Sequence, residues 1–344
     1  MSRDGSPLVR DVSPDEGYTY MHRAFFQAFL THSVMTVEEI KPVLAHVMTA
    51  HSKSSIDFEA QSTFNNQPPS DPERPWTAGD VTQPHLTSTI QTINARIEHY
   101  DFEIRSMKDQ HTKLTVYALV NKTSDSLTQL ATKFSASEIA YIRRLLDYMF
   151  ETNNTHTREV MAIKHTEASQ LARIRRARQS QVNGEEAESQ AQDAGISIQE
   201  ADEVLITLQN EGFFQKSPAS YYSLAPRALM ELRAYLKETY NEPASSPAAD
   251  DAVIRIRDCE GCREIVTHGV RCNDKDCGVR WHDACANSYY RNRKGGNRKC
   301  PKCGTECSGD VYVGERADKV VARSSTGARR SAMHEEAEEE EEEE

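Results

Sequence analysis

All eight cysteines of this chain lie between Cys259 and Cys307. Seven of them and one histidine follow the order Cys259-x2-Cys262-x9-Cys272-x4-Cys277-x4-His282-x2-Cys285-x14-Cys300-x2-Cys303. Four short pairs of soft donors separated by loops suit two tetrahedral zinc ions: each pair gives one segment two ligands, and a second pair closes the tetrahedron. A domain of about 50 residues is too small for a core of its own, so the metals would hold it together. A disulfide scaffold is the competing use of eight cysteines, but it belongs to secreted chains and spreads its bridges through a small domain. The opening stretch MSRDGSPLVRDVSPDEGYTY lacks the apolar core of a secretory leader, and nowhere do about 18 uncharged apolar residues run together. The sequence therefore predicts a reducing compartment, two zinc ions and no membrane span. Cys307 falls outside the ligand register and reads as a spare, inert thiol.

The formal charge of −12 belongs to a tail, because nine glutamates crowd into Glu335–Glu344. Without them 44 acids face 41 bases, so the folded part is close to neutral. Residues 255–307 hold twelve Lys/Arg and seven Asp/Glu. Seven thiolates and two zinc ions lower that surplus to about +2, too little to argue for nucleic-acid binding. The cluster Arg291, Arg293, Lys294, Arg298 and Lys299 reads as a solvated loop between ligand pairs before a docking surface.

Upstream, hydrophobic periodicity predicts two similar sets of elements. A helix over Tyr18–Ser33 carries His22, Phe25, Phe26 and Phe29 at helical spacing. Thr36 and Glu39 form a capping box for a second helix, which Pro42 would kink or shorten. A third follows with Leu86, Ile90, Ile93 and Ile97, then strand-like runs at Phe102–Met107 and Leu114–Val120. The pattern recurs. Ser135 and Glu138 cap a helix with an apolar face of Ile139, Ile142, Leu146, Met149 and Phe150, and a helix is expected near Glu159–Arg173. Ser197 and Glu200 cap another helix, bearing Ala201, Val204, Leu205 and Leu208. A short hairpin over Phe213–Lys216 and Ser220–Leu224 and a closing helix from Pro226, with Leu229, Leu232 and Leu236, complete the set.

Three helices and a β-hairpin, twice over, predict a mainly α fold with small β-hairpins: tandem winged-helix domains followed by a two-zinc domain. The expected boundaries are a disordered start over 1–16, a first winged helix over 17–122 with a polar insertion at 51–83, and a second over 123–241 with an insertion at 179–195. A linker over 242–254, a zinc domain over 255–308 and a disordered basic then poly-Glu tail over 309–344 follow. Winged helices read DNA or dock proteins. The helix from Ile198 carries Asp202 and Glu203 and no Lys or Arg, and Leu86–Tyr100 offers only Arg96. Such faces release few counterions from DNA, so protein docking is the expected role and any DNA contact indirect. The basic stretch Arg173, Arg175, Arg176, Arg178 suits either a phosphate contact or a nuclear import signal.

A catalytic zinc keeps an open coordination position, whereas eight donors divide into two closed sets of four. No HExxH, Gly-rich phosphate loop or GxSxG occurs. The metals are therefore expected to be structural, with no catalytic nucleophile, and function is expected on the surface they hold rigid.

The ligand order of four cysteines, one histidine and three cysteines, the Cys300-Pro301-Lys302-Cys303 pair and the tandem helical sets upstream together form a specific pattern. It resembles the RING-type subunit of the SMC five/six genome-maintenance complex, the non-structural maintenance of chromosomes element 1 family. Val116–Asn121 followed by Leu130–Phe134 resembles the family's joint between its winged helices, and Cys277–His282 resembles its variant RING. The resemblance covers about Tyr18–Cys307. It implies cross-braced zinc sites, with Cys259, Cys262, His282 and Cys285 at one and Cys272, Cys277, Cys300 and Cys303 at the other. It also implies a nuclear ubiquitin ligase in recombinational DNA repair, working beside a MAGE-type winged-helix subunit and a kleisin subunit. Such a domain grips an E2 enzyme and orders its ubiquitin thioester, which is catalysis by positioning. Pro301, Ile265 and Val266 are the candidate E2 contacts. Gly261 stands where ligase RINGs usually place a bulky aliphatic residue, and Gly304 where many carry a basic one. The expected activity is accordingly weak without partners.

Two other readings compete. One is a non-enzymatic assembly module of the same complex. The other is a PHD-type chromatin reader, which shares the ligand order but normally carries an aromatic two residues before the seventh ligand, where this chain has Arg298.

Overall fold

Phe25 and Phe29 lie one helical turn apart, and burying both defines the first helix, α1 (Tyr20–His32). Their rings meet edge to face at 5.5 Å, and burying each stabilises by about 1.5–3 kcal/mol. The computed structural model describes residues 17–55, 74–122, 133–173, 195–243, 252–291 and 298–318. They form two compact units. One runs to Met107 and includes Leu114–Lys122; the other holds Lys108–Lys113 and the chain from residue 123 onward.

In the first unit, strand β1 (Val34–Thr36) leads into α2 (Val37–Ser55). Glu39 accepts the Thr36 amide at 2.7 Å, so the expected capping box forms. Pro42 does not stop α2, because it stands in the second turn and its missing N–H frees only a carbonyl near the helix start. Helix α3 (Gln83–Ile97) buries Leu86, Ile90, Ile93 and Ile97, as the spacing predicts. Strands β2 (Phe102–Lys108) and β3 (Thr115–Asn121) complete a sheet of order β1-β3-β2, with Met35 opposite Tyr117. The insertion expected over 51–83 is shorter at both ends. Helix α2 extends to Ser55, Val81 enters the core, and the Trp76 amide donates to Thr49 Oγ1 at 2.9 Å.

The second unit begins with the same order of elements. Helix α4 (Ala136–Asp147), strand β4 (Ile163–Lys164), helices α5 (His165–Leu171) and α6 (Ile198–Asn210), and strands β5 (Phe214–Lys216) and β6 (Tyr221–Leu224) give a sheet β4-β6-β5. Both serine capping boxes form, with Glu138 and Glu200 accepting the Ser135 and Ser197 amides at 2.6 and 2.7 Å. Each such cap is worth about 1 kcal/mol. Gly212, at φ 73°, ends α6 in the left-handed region.

Three expectations here are corrected. Helix α4 buries Tyr141 and Leu145 beside Ile142 and Leu146, leaving Ile139 half-buried, and then widens into a π turn over Tyr148–Thr152 that buries Met149 and Phe150. The helix expected from Glu159 starts only at His165. Val160, Met161, Ala162 and Ile163 are all buried, with Met161 at φ 44°, so the run is irregular chain covered on every side rather than an amphipathic helix. The closing helix is two pieces, α7 (Pro226–Glu231) and α8 (Arg233–Tyr240), broken at Leu232.

The cysteine-rich residues belong to this same unit. Strands β7 (Asn241–Glu242) and β8 (Val253–Ile254) pair, and Asn241 Oδ1 accepts the amides of Arg255 and Ile256 at 2.9 and 2.8 Å. The stretch expected as a free linker over 242–254 is thus tied at both ends. A sheet of order β10-β9-β11 follows, from β9 (Gly269–Arg271), β10 (Arg280–Trp281) and β11 (Tyr312–Val313), with helix α9 (Asp283–Arg291) beside it. Strand β11 lies in the expected tail, so the folded chain runs past residue 308. Ala317 packs with Val160, Ala162 and Tyr221, and Asp318 pairs with Lys164 and Arg158 at 2.9 and 3.2 Å. The N-terminal 16 residues, Arg175, Arg176 and Arg178, Arg293 and Lys294, most of the 179–195 insertion and everything after Asp318 lie outside the described residues. No helix among the described residues is long and apolar enough to cross a membrane.

Glu159 joins the helical layer to the cysteine-rich sheet. Its carboxylate accepts Arg271 Nη1 and Arg280 Nε at 2.8 Å each, and all three side chains are buried. Glu159→Gln removes the charge and keeps the shape, leaving two guanidinium groups without their anion. We expect a loss of about 3–5 kcal/mol in urea unfolding of this unit. In the first unit, buried His22 accepts the Thr19 amide at Nδ1, 3.1 Å away. Burial first, then the nearby His51, lowers its pKa to about 4. The unfolded chain therefore binds a proton that the folded chain refuses between pH 6.5 and 4, and this unit loses stability as pH falls through that window. Trp76 fluorescence should report a loss of at most about 3 kcal/mol, which His22→Gln flattens.

Candidate metal centres

Tight backbone turns aim the donor pairs. Cys259 and Cys262 flank a turn in which the Arg263 amide donates to the Cys259 carbonyl at 2.9 Å, while the Gly261 amide points at Cys259 Sγ, 3.4 Å away. Strand β10 ends at Trp281, placing His282 at the threshold of α9 and Cys285 in its first turn, where the Ala286 amide bonds the His282 carbonyl. Cys272 follows β9 directly, and its amide donates to the Val279 carbonyl at 3.2 Å, which brings Cys277 back alongside. Cys300 and Cys303 flank a turn closed by the Gly304 amide on the Cys300 carbonyl at 3.1 Å.

These turns gather two sets of four. The donor atoms of Cys259, Cys262, His282 and Cys285 lie within 4.8 Å of one another, and so do those of Cys272, Cys277, Cys300 and Cys303. Edges of the second set measure 3.4 Å (Cys272–Cys303) and 3.6 Å (Cys277–Cys300). A zinc–sulfur tetrahedron with bonds of about 2.3 Å has edges of about 3.8 Å, so a metal ion fits with small adjustments. His282 turns Nδ1 to Cys262 Sγ at 3.2 Å and Nε2 to the Ile265 carbonyl at 3.1 Å. That second contact fixes the ring so that Nδ1 can face a metal.

The thiols have unequal environments. Burial opposes ionisation of Cys259, but hydrogen bonds from His282 and neighbouring amides outweigh it and hold the thiol at about 6. Bonds from Thr305 bring Cys303 to about 6, while burial and then the adjacent Cys259 and Cys262 push Cys285 up to about 12. Four soft donors crowded at van der Waals range, some hard to ionise alone, suit a divalent cation that deprotonates them together.

The two glycines that depart from the ligase pattern have local causes. A Cβ at Gly261 would lie 3.1 Å from Cys285 Cβ and 3.3 Å from the Trp281 ring, so an aliphatic side chain would crowd the first set. Gly304 has φ 74°, a conformation that strains a basic residue in its place. Of the E2-contact candidates, Pro301 is exposed, but Ile265 and Val266 are each 1% exposed. This corrects their expected surface role. The Val266 amide bonds the Arg257 carbonyl, and Gln110, in the turn 108–113 of the same unit, donates to the Ile265 carbonyl at 2.8 Å. Sequence reasoning missed Glu159 and Gln110 altogether. Only an acid leading the apolar run Val160–Ile163 hinted at the first.

Two closed four-donor sets on a small sheet and helix, joined to a helical layer, define a RING-like module rather than a hydrolytic metal site. A family model described as RING-like domain matches residues 259–303, and one described as Nse1 non-SMC component of SMC5-6 complex matches residues 22–232. The chain belongs to the Nse1 family of SMC5-6 complex subunits. The human non-structural maintenance of chromosomes element 1 homolog is 22% identical over 286 residues, 83% of each chain. The Schizosaccharomyces pombe protein of that name is 20% identical over 229 residues, 67% of this chain and 80% of its own. A solved chain of an Nse1-Nse3-Nse4 complex shares the fold at TM-score 0.57 and 17% identity, covering 86% of this chain and 99% of that one.

Stripping metal from the full chain should loosen residues 255–318 and spare the first unit. Hydrogen exchange before and after chelation checks this: amides of β9, β10 and α9 should lose protection while those of α1 and α3 keep theirs.

Proposed function

We propose that this chain is a RING-type ubiquitin ligase subunit of an SMC5-6 complex, acting in the nucleus in DNA repair and recombination. The observation that supports it best is the interleaving of the donor sets: the first and third pairs converge, as do the second and fourth. Cys259, Cys262, His282 and Cys285 would hold one zinc ion, and Cys272, Cys277, Cys300 and Cys303 the other. Zinc bound there supplies cross-links that fix the intervening loops. No side chain attacks ubiquitin. The module holds an E2 enzyme so that the thioester meets a substrate lysine, and the rate gain comes from orientation. Exposed Pro301, between Cys300 and Cys303, is the apolar contact we assign to the E2.

The two repeated helical sets would be winged helices that dock a MAGE-type subunit and a kleisin subunit, with DNA contacted only through them. The composition of the structural neighbour, an Nse1-Nse3-Nse4 complex, supports a three-subunit assembly. A non-enzymatic bracing role is the second reading, favoured by the burial of Ile265 and Val266, which narrows the surface left for an E2.

Reconstitution with the MAGE-type partner, E1, a panel of E2 enzymes and ubiquitin separates the two. The ligase reading expects zinc-dependent transfer that Pro301→Ala slows at least tenfold, about 1.4 kcal/mol in the barrier. No transfer with any E2, while Cys272→Ser still abolishes partner binding, leaves the bracing role standing alone.

A further inference from the structure

The second donor set has a fifth thiol beside it. Cys307 is 94% buried by its 6% exposure, and its Sγ lies 3.9 Å from Cys272 Sγ, close to the about 3.8 Å edge of a zinc–sulfur tetrahedron. Its S–H is directed at Cys272, with a second, weaker approach to the Thr305 carbonyl at 3.7 Å. It is not one of the four mutually close donors, so it does not compete for the metal while they are in place. It is, however, on the same short hairpin as two of them. The Cys307 amide bonds the Arg298 carbonyl at 2.6 Å, the Cys300 amide bonds the Thr305 carbonyl at 2.8 Å, and Lys299 bridges Glu306. The ligand at the tip of that hairpin, Cys303, is exposed, whereas Cys272, Cys277 and Cys300 are buried. No other cysteine lies beside the first set, since the remaining thiols all belong to one set or the other.

We propose that Cys307 is a reserve ligand of the second metal centre, able to take the place of Cys303 when that exposed thiolate is lost. In the exchange the zinc–sulfur bond to Cys303 breaks and one to Cys307 forms. Where Cys303 leaves as a free thiol it takes the Cys307 proton; where an electrophile has capped it, that proton passes to solvent, and no oxidation state changes in the exchange itself. The centre keeps four sulfurs throughout. Cys307 already lies against one ligand of the set and shares a hairpin with two others. The centre can then survive blockage of its one solvent-facing donor by an electrophile, an event that would otherwise open a coordination position.

The inference rests on the zinc assignment above, and the test keeps the two apart. Native mass spectrometry of the full chain counts zinc, and X-ray absorption counts sulfur neighbours. The parent chain should hold two zinc ions with seven sulfur donors between them; fewer than two overturns the assignment itself. Cys307→Ser should also hold two. Cys303→Ser should retain two ions and all seven sulfurs, with the second ion held about 10- to 100-fold more weakly. Cys303→Ser/Cys307→Ser should keep a single ion, or two with only six sulfurs. A parent chain with two zinc ions whose Cys303→Ser variant loses one ion or one sulfur overturns the proposal. So does a double variant that matches Cys303→Ser. Cys262→Ser serves as the control, an exposed ligand of the first set with no fifth thiol beside it, and should lose the first ion.

Discussion

One buried carboxylate decides how the metal-binding loops are presented. Glu159 accepts hydrogen bonds from Arg271 on β9 and Arg280 on β10; Arg271 Nη1 also donates to the His156 carbonyl, and Arg280 Nη1 to those of Cys277 and Val279. A buried ionic cluster adds little net stability over a well-packed apolar one, but separating its partners leaves buried charge uncompensated at a cost of about 3–5 kcal/mol. Arg271 immediately precedes Cys272, and Arg280 stands two residues before His282. The cluster therefore fixes the sheet that feeds both centres against the buried run Val160–Ile163 of the helical layer. Arg233 repeats the same device on another side, bonding Glu264 and Asp258 at 2.8 and 3.1 Å. The cysteine-rich module is built into the second unit, not hung from it.

How much of this was legible in the sequence depended on separation along the chain. Ligand spacing, capping boxes and helical stripes act over a few residues, and they were read correctly at Ser135, Thr36 and the Leu86–Ile97 stripe. Strands β1 and β4 are three and two residues long and show no periodicity, so each is defined only by its partner on a distant hairpin. Glu159 looked like the polar start of a helix because its arginine partners lie more than a hundred residues away. Likewise, the small and proline-rich stretch after Asn241 reads as a linker until Val253 and Ile254 return to pair with it. The residues past 308 read as tail because the apolar content of Tyr312, Val313 and Ala317 is slight and is completed by β9 and Tyr221.

The two glycines show a different limit. Their departure from the ligase pattern was visible, and it suggested weakened recognition of an E2. The structure supplies the cause: Gly261 is pressed between Cys285 and Trp281, and Gly304 closes its turn at positive φ. Both are answers to how the donor pairs are folded, so they carry information about metal geometry first. Their bearing on a partner is secondary.

On the proposed ligase reading, what remains for recognition is the face where the two ligand loops meet. Glu260, within the first pair's turn, bonds Lys302, within the fourth pair's turn, at 2.7 Å, and it also pairs with Arg263 at 3.0 Å. Lys302, followed by Arg263, keeps the Glu260 carboxyl below the ordinary range. An exposed lysine in an ion pair gains little stability, yet here each partner sits inside a turn whose ends are metal donors. Ordering those ends orders the pair, and Pro301 stands next to Lys302 on the same turn. A surface that is short of apolar area, because Ile265 and Val266 face inward, must rely on being held still. The metal donors, the Glu260–Lys302 bridge and the Glu159 cluster all act to that end, which is the condition under which positioning alone can accelerate a transfer.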